Sequence, residues 1–111
     1  MEISVTEYKH CDLVKVSGRV DSLTAPKLTE ELSKIMDAGK FKIVIDLSED
    51  EFLSSAGLRS LISAQKNCKR YNRGEVILAG VPSNILSVFE LAGFTPIFKI
   101  YADVTSAVGS F

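Results

Sequence analysis

The chain has 111 residues, 46% hydrophobic and 24% charged, with a formal net charge of −1. These values describe one soluble domain, placed over residues 1–111, with room for a single core. The near-neutral balance argues against nucleic acid or an anionic membrane as a partner, and no apolar run approaches the roughly 18 residues that span a bilayer.

The start of the chain, Met1-Glu2-Ile3-Ser4, has neither a basic nor an apolar leader pattern, so the expected location is the cytoplasm. Cys11 and Cys68 form no C-x-x-C. With His10 the single histidine, they cannot build a tetrahedral zinc site without carboxylates. Both are expected as reduced thiols, Cys68 partly buried, and no metal or cofactor is expected.

Residues 2–8 alternate around Ile3 and Val5, and residues 12–20 around Val14, Val16 and Val20. With His10-Cys11-Asp12 between them, the two runs predict an antiparallel hairpin. Ser22 or Thr24 can cap a first helix, with Pro26 in its opening turn. Leu28, Leu32, Ile35 and Met36 form its apolar stripe, and Gly39 is its stop. Phe41 to Leu47 is apolar on both faces apart from Lys42 and Asp46, as an interior strand would be. A short acidic turn follows.

A second helix is predicted from about Ser55 to Tyr71, buried along Leu58, Leu61, Ile62 and Cys68, with Asn72-Arg73-Gly74 closing it. Its segment carries Arg59, Lys66, Lys69, Arg70 and Arg73 and no acid. Glu75 to Gly80 is another strand. Pro82-Ser83 opens a third helix with Ile85, Phe89 and Ala92 in register and Gly93 as its stop. Ile97 to Tyr101 is a last strand, and Asp103 can cap a short helix through Val108. The order β-β-α-β-α-β-α-β-α predicts an α/β fold, a mixed sheet of about five strands with four helices packed on it.

The chemistry concentrates between Asp46 and Leu58. A nucleophilic serine there needs a base and an oxyanion hole, yet the histidine lies in a distant turn and no G-x-S-x-G elbow occurs. Neither G-x-x-x-x-G-K-[ST] nor G-x-G-x-x-G is present. The acids Glu49, Asp50 and Glu51 precede a helix start, where they complement its dipole. Ser55 is then either an N-cap or an exposed hydroxyl whose phosphorylation would add negative charge beside those acids and Asp21. Residue chemistry alone leaves both open.

Asp46-Leu47-Ser48 followed by Phe52-Leu53-Ser54-Ser55-Ala56-Gly57-Leu58 resembles the signature of STAS domains, the anti-sigma factor antagonist family, whose usual pattern is D-L-S-x-V-x-F-[ML]-D-S-[SAT]-G-L. Gly18-Arg19-Val20-Asp21 is similar to that family's turn after the second strand, and the element order matches over the whole chain. The resemblance implies a regulatory protein, not an enzyme. It implies binding to an anti-sigma factor of the ATP-dependent serine kinase type, release on phosphorylation, and restoration by a PP2C-type phosphatase. By position the acceptor is Ser55, with Ser54 second. The implied partner surface comprises Asp21, Ser22, Thr24, Glu49, Asp50, Leu53, Ser54, Leu58 and Arg59. The alternative is a constitutive scaffold or ligand-sensing module that is never phosphorylated. The chain departs from the pattern at Ser54, usually aspartate, and at Asp50, usually apolar. A charge at position 50 is expected to expose that turn or to face the partner.

Overall fold

The computed structural model describes residues 1–93 and 97–111. Its elements run β1 (Glu2–Glu7), β2 (Asp12–Val20), α1 (Ala25–Asp37), β3 (Lys42–Leu53), α2 (Ser55–Lys69), β4 (Glu75–Ala79), α3 (Ser83–Leu91), β5 (Ile100–Tyr101) and α4 (Val104–Gly109). The five strands form one sheet in chain order. β1 pairs antiparallel with β2, and every later neighbour pairs parallel. The mixed α/β fold expected from the sequence is thus the fold observed.

The sheet is covered unequally. Val14, Val16, Ile43, Ile45 and Leu78 contribute to a large core shared with Leu28 and Leu32 of α1, Leu61 and Cys68 of α2, and Ile85 and Phe89 of α3. Val44, Ile77 and Ala79 join Cys11 and Ala107 of the short α4 in a second, smaller cluster. This two-sided cover is why Ile43 to Ile45 reads as a continuous apolar run. Gln65 of α2 is buried and fully used: its amide nitrogen donates to the Ile97 carbonyl (2.8 Å) and its oxygen accepts from the Val76 N–H (2.6 Å).

Several boundaries differ from expectation. The third strand does not stop at Leu47. It continues through the acidic run to Leu53, because β2 keeps pairing with it through two register shifts. Lys15 and Ser17 face Asp46 and Glu49, and Gly18 and Arg19 face Asp50 and Phe52, so β3 carries one extra residue at each shift. Glu and Asp are poor strand formers, which is why the run reads as a turn. The second helix ends at Lys69. A 3-10 turn follows over Arg70–Asn72, with Tyr71 and Asn72 at φ of 58° and 56°. Ala92 lies beyond α3 and is exposed. The last strand is limited to Ile100–Tyr101. Cys68 is fully buried rather than partly so.

Candidate functional site

The C-terminal ends of β2 and β3 lie side by side, with Val20 opposite Leu53. The β2–α1 turn and the start of α2 therefore share one edge of the sheet, an edge where α/β folds commonly place their sites. His10 sits at the other edge. From Asp12 to Val20 the strand rises roughly 26 Å, so His10 cannot serve Ser55 as a base.

The two serines divide their tasks. Ser54 is the N-cap, at φ −78° and ψ 169°, and its Oγ accepts from the Gly57 N–H at 3.2 Å. Its own N–H donates to the Val20 carbonyl at 2.8 Å, locking the cap onto the end of β2. Ser can do this in place of Asp because either side chain offers an oxygen at capping distance. Ser55 is the first helical residue and is exposed. Among the described residues, no hydrogen bond uses its hydroxyl. Gly57 sets how close this turn sits to the sheet: a Cβ there would meet Val20 Cγ1 at 2.6 Å and Leu53 Cδ1 at 2.7 Å.

Asp21 shapes the neighbouring turn. Its Oδ1 accepts from the N–H groups of Leu23 and Thr24, each at 3.0 Å, while its own N–H donates to Thr24 Oγ1 at 2.8 Å. These bonds, the Thr24 N–H foremost, hold the Asp21 carboxyl below its ordinary pKa. Thr24 occupies the N-cap position of α1 without making a side-chain cap bond. Asp21 bridges that start instead. Asp46 is buried and accepts from the Ser48 N–H at 3.0 Å, anchoring the first irregular step of β3.

The acidic run is split by burial. Glu49 is exposed and pairs with Lys15 at 3.4 Å. Glu51 is exposed, and its carbonyl accepts from the Asn84 side chain of α3 at 3.3 Å. Asp50 is only 3% exposed, and neither carboxyl oxygen makes a hydrogen bond. Burial raises its pKa to about 6. The nearby Phe52 N–H offsets part of that rise without a bond of ordinary geometry, and the Glu51 charge adds to it. The expectation of an exposed turn, or of an acid facing a partner, is corrected at Asp50. The continued β2–β3 pairing takes this side chain inside.

Leu53 and Leu58 are also interior, at 2% and 4% exposure. Both belong to the main core beneath the site, so in the isolated chain they support the surface rather than form it. Ser22, Glu49 and Arg59 lie outside, and Asp21, Thr24 and Ser54 are half-buried. Sequence reasoning missed the apolar part of this surface. Leu23 is 87% exposed in the β2–α1 turn. Phe52 is 38% exposed, with the Arg19 guanidinium 4.4 Å from its ring centroid. A leucine placed between Ser22 and Thr24 in a polar turn was the available signal. Aromatic and arginine side chains of this kind are the types enriched where proteins meet.

This end of the sheet presents an exposed serine together with apolar and acidic side chains. Residues 2–107 match the STAS domain family model, and the chain belongs to that family. The anti-sigma-B factor antagonist of Listeria monocytogenes is 31% identical over 100 residues, 90% of this chain and 86% of that protein. An anti-sigma factor antagonist from Mycobacterium paratuberculosis superposes with a TM-score of 0.85 at 26% identity, covering 98% of this chain and 92% of the other. Phosphorylated SpoIIAA of Bacillus shares the fold with a TM-score of 0.78 at 14% identity, covering 98% of each chain. Among the described residues, no helix is long and apolar enough to cross a membrane.

Proposed function

We propose that this chain is an anti-sigma factor antagonist whose docking surface is switched by phosphorylation of Ser55. The observation that carries the reading is the division between the serines. Ser54 is committed to capping α2, while Ser55 stands exposed with its hydroxyl unengaged. A kinase can reach Ser55 without dismantling a cap. The partner is an anti-sigma factor with ATP-dependent serine kinase activity, and a PP2C-type phosphatase reverses the modification. The γ-phosphoryl group passes from ATP to Ser55 Oγ, ADP leaves, and the hydroxyl proton goes to a base on the kinase.

The phosphate adds about −1.5 to −2 charges to the end of the sheet that also carries Asp21 and Glu51, enough to oppose a partner that docks there on Leu23 and Phe52. At the first position of α2 the helix dipole tolerates the charge, so the domain remains folded while the surface changes. Asp21, Ser22, Thr24, Glu49, Ser54 and Arg59 form the polar part of the contact. Asp50, Leu53 and Leu58 act from beneath it.

The test is to incubate the chain with ATP and a candidate anti-sigma factor of the serine kinase type, then to map phosphate by mass spectrometry. Phosphate is expected on Ser55, retained in Ser54→Ala and lost in Ser55→Ala. Ser55→Asp is expected to weaken binding about tenfold or more. Binding without any phosphate on either serine would leave a constitutive scaffold and refute the switch.

A further inference from the structure

Residues 52–74 contain five cations and no anion. One of the five, Arg73, is engaged: it stacks on Phe41 with its guanidinium carbon 3.9 Å from the ring centroid and donates from Nε to the Arg70 carbonyl at 3.1 Å. Arg59 is different. It is exposed on α2, and among the described residues it has neither an ion-pair partner nor a side-chain hydrogen bond. Arg59 lies four residues after Ser55 within one unbroken helix. Side chains at that spacing are neighbours on one face, with Cβ atoms roughly 5–6 Å apart. Arg19, the other arginine of this edge, is already stacked on Phe52 and acts on the Asp21 carboxylate.

We propose that Arg59 takes hold of the phosphate once Ser55 is modified, so that phosphorylation withdraws a cation from the docking surface as well as adding an anion. The inference rests on Ser55 being the acceptor. Arginine suits the task because its planar fork can donate two parallel hydrogen bonds to phosphate oxygens. Lys15 is already paired with Glu49 at 3.4 Å. An anchored phosphate has one position, and the surface then has two defined states instead of a mobile charge. The unmodified state keeps Arg59 free for an acidic group of the partner.

The test uses the full chain with phosphoserine installed at position 55 during translation, so that no kinase is needed. The second ionisation of the phosphate is followed by phosphorus NMR against pH. Its pKa is expected to rise by about half a unit in Arg59→Gln, because the paired dianion is favoured only when Arg59 is present. Arg59→Lys is expected to recover about half of that difference, since a point charge lacks the fork. An unchanged pKa in Arg59→Gln overturns the proposal, because an exposed side chain with only a structural role would not move it. Failure of the kinase experiment leaves this measurement intact, so the two results are separable.

Discussion

Asp50 places a carboxyl in the interior with no hydrogen-bond partner, and Asp50→Asn tests what that costs. Its pKa stands at about 6 against an ordinary 3.8. A difference of about two units corresponds to a free energy of about 3 kcal/mol. The sign follows from protons bound. The folded chain holds the Asp50 proton up to a higher pH than the unfolded chain does. Stability from this group is therefore fully present below about pH 3.8 and is lost as pH rises through about 6. Linkage over this interval gives a loss of about 1 kcal/mol by pH 4.5 and about 3 kcal/mol by pH 8. Asn cannot titrate, so the stability of Asp50→Asn relative to the parent should increase by about 2 kcal/mol between those two conditions. Other shifted carboxyls, lowered at Asp21 and Asp103 and raised at Asp12, are present in both chains and cancel in the comparison. Urea unfolding of both chains at each pH, read as midpoint and slope, measures the difference. A gap between Asn and parent that is equal at both pH values refutes the assignment of Asp50 as a buried, titrating acid. Asp50→Val should gain stability at pH 8 by at least as much as Asn, because it buries no polar atom at all.

Three further outcomes follow from the site. Ser54→Ala should cost about 1 kcal/mol in thermal or urea unfolding, and Ser54→Asp should restore it, because the cap needs only an acceptor for the Gly57 N–H. Ser55→Ala should leave stability within about 0.5 kcal/mol, which separates the surface serine from the structural one. Gly57→Ala should destabilise by about 1–3 kcal/mol, since the new methyl would overlap Val20 and Leu53 and lift the first turn of α2 off the sheet. A neutral Gly57→Ala would contradict the close packing of that turn.

The sheet and its helices were readable because their apolar residues keep the periods that packing demands. Val14, Val16 and Val20 mark one face of a strand, and Leu28, Leu32, Ile35 and Met36 one stripe of a helix. The end of β3 was not readable. Three acids in a row carry no strand signal, and what makes them strand is hydrogen bonding to β2, a partner distant in sequence. The roles of Ser54 and Ser55 were equally hidden. Two adjacent hydroxyls are interchangeable on paper, and a shift of one residue in the helix start decides which one caps. Leu23 carried no signal because a single leucine in a turn is ordinary until its 87% exposure is seen. The last predicted strand, Ile97 to Tyr101, shows strand pairing only at Ile100 and Tyr101.

From Ser48 to Leu53, β3 buries every third side chain: Asp50 and Leu53 turn inward, while Ser48, Glu49, Glu51 and Phe52 face out. A regular strand would commit every second residue to the interior. The two extra residues thus free four of six positions from the demands of the core. Substitutions at those four positions are therefore expected to come at little expense to folding.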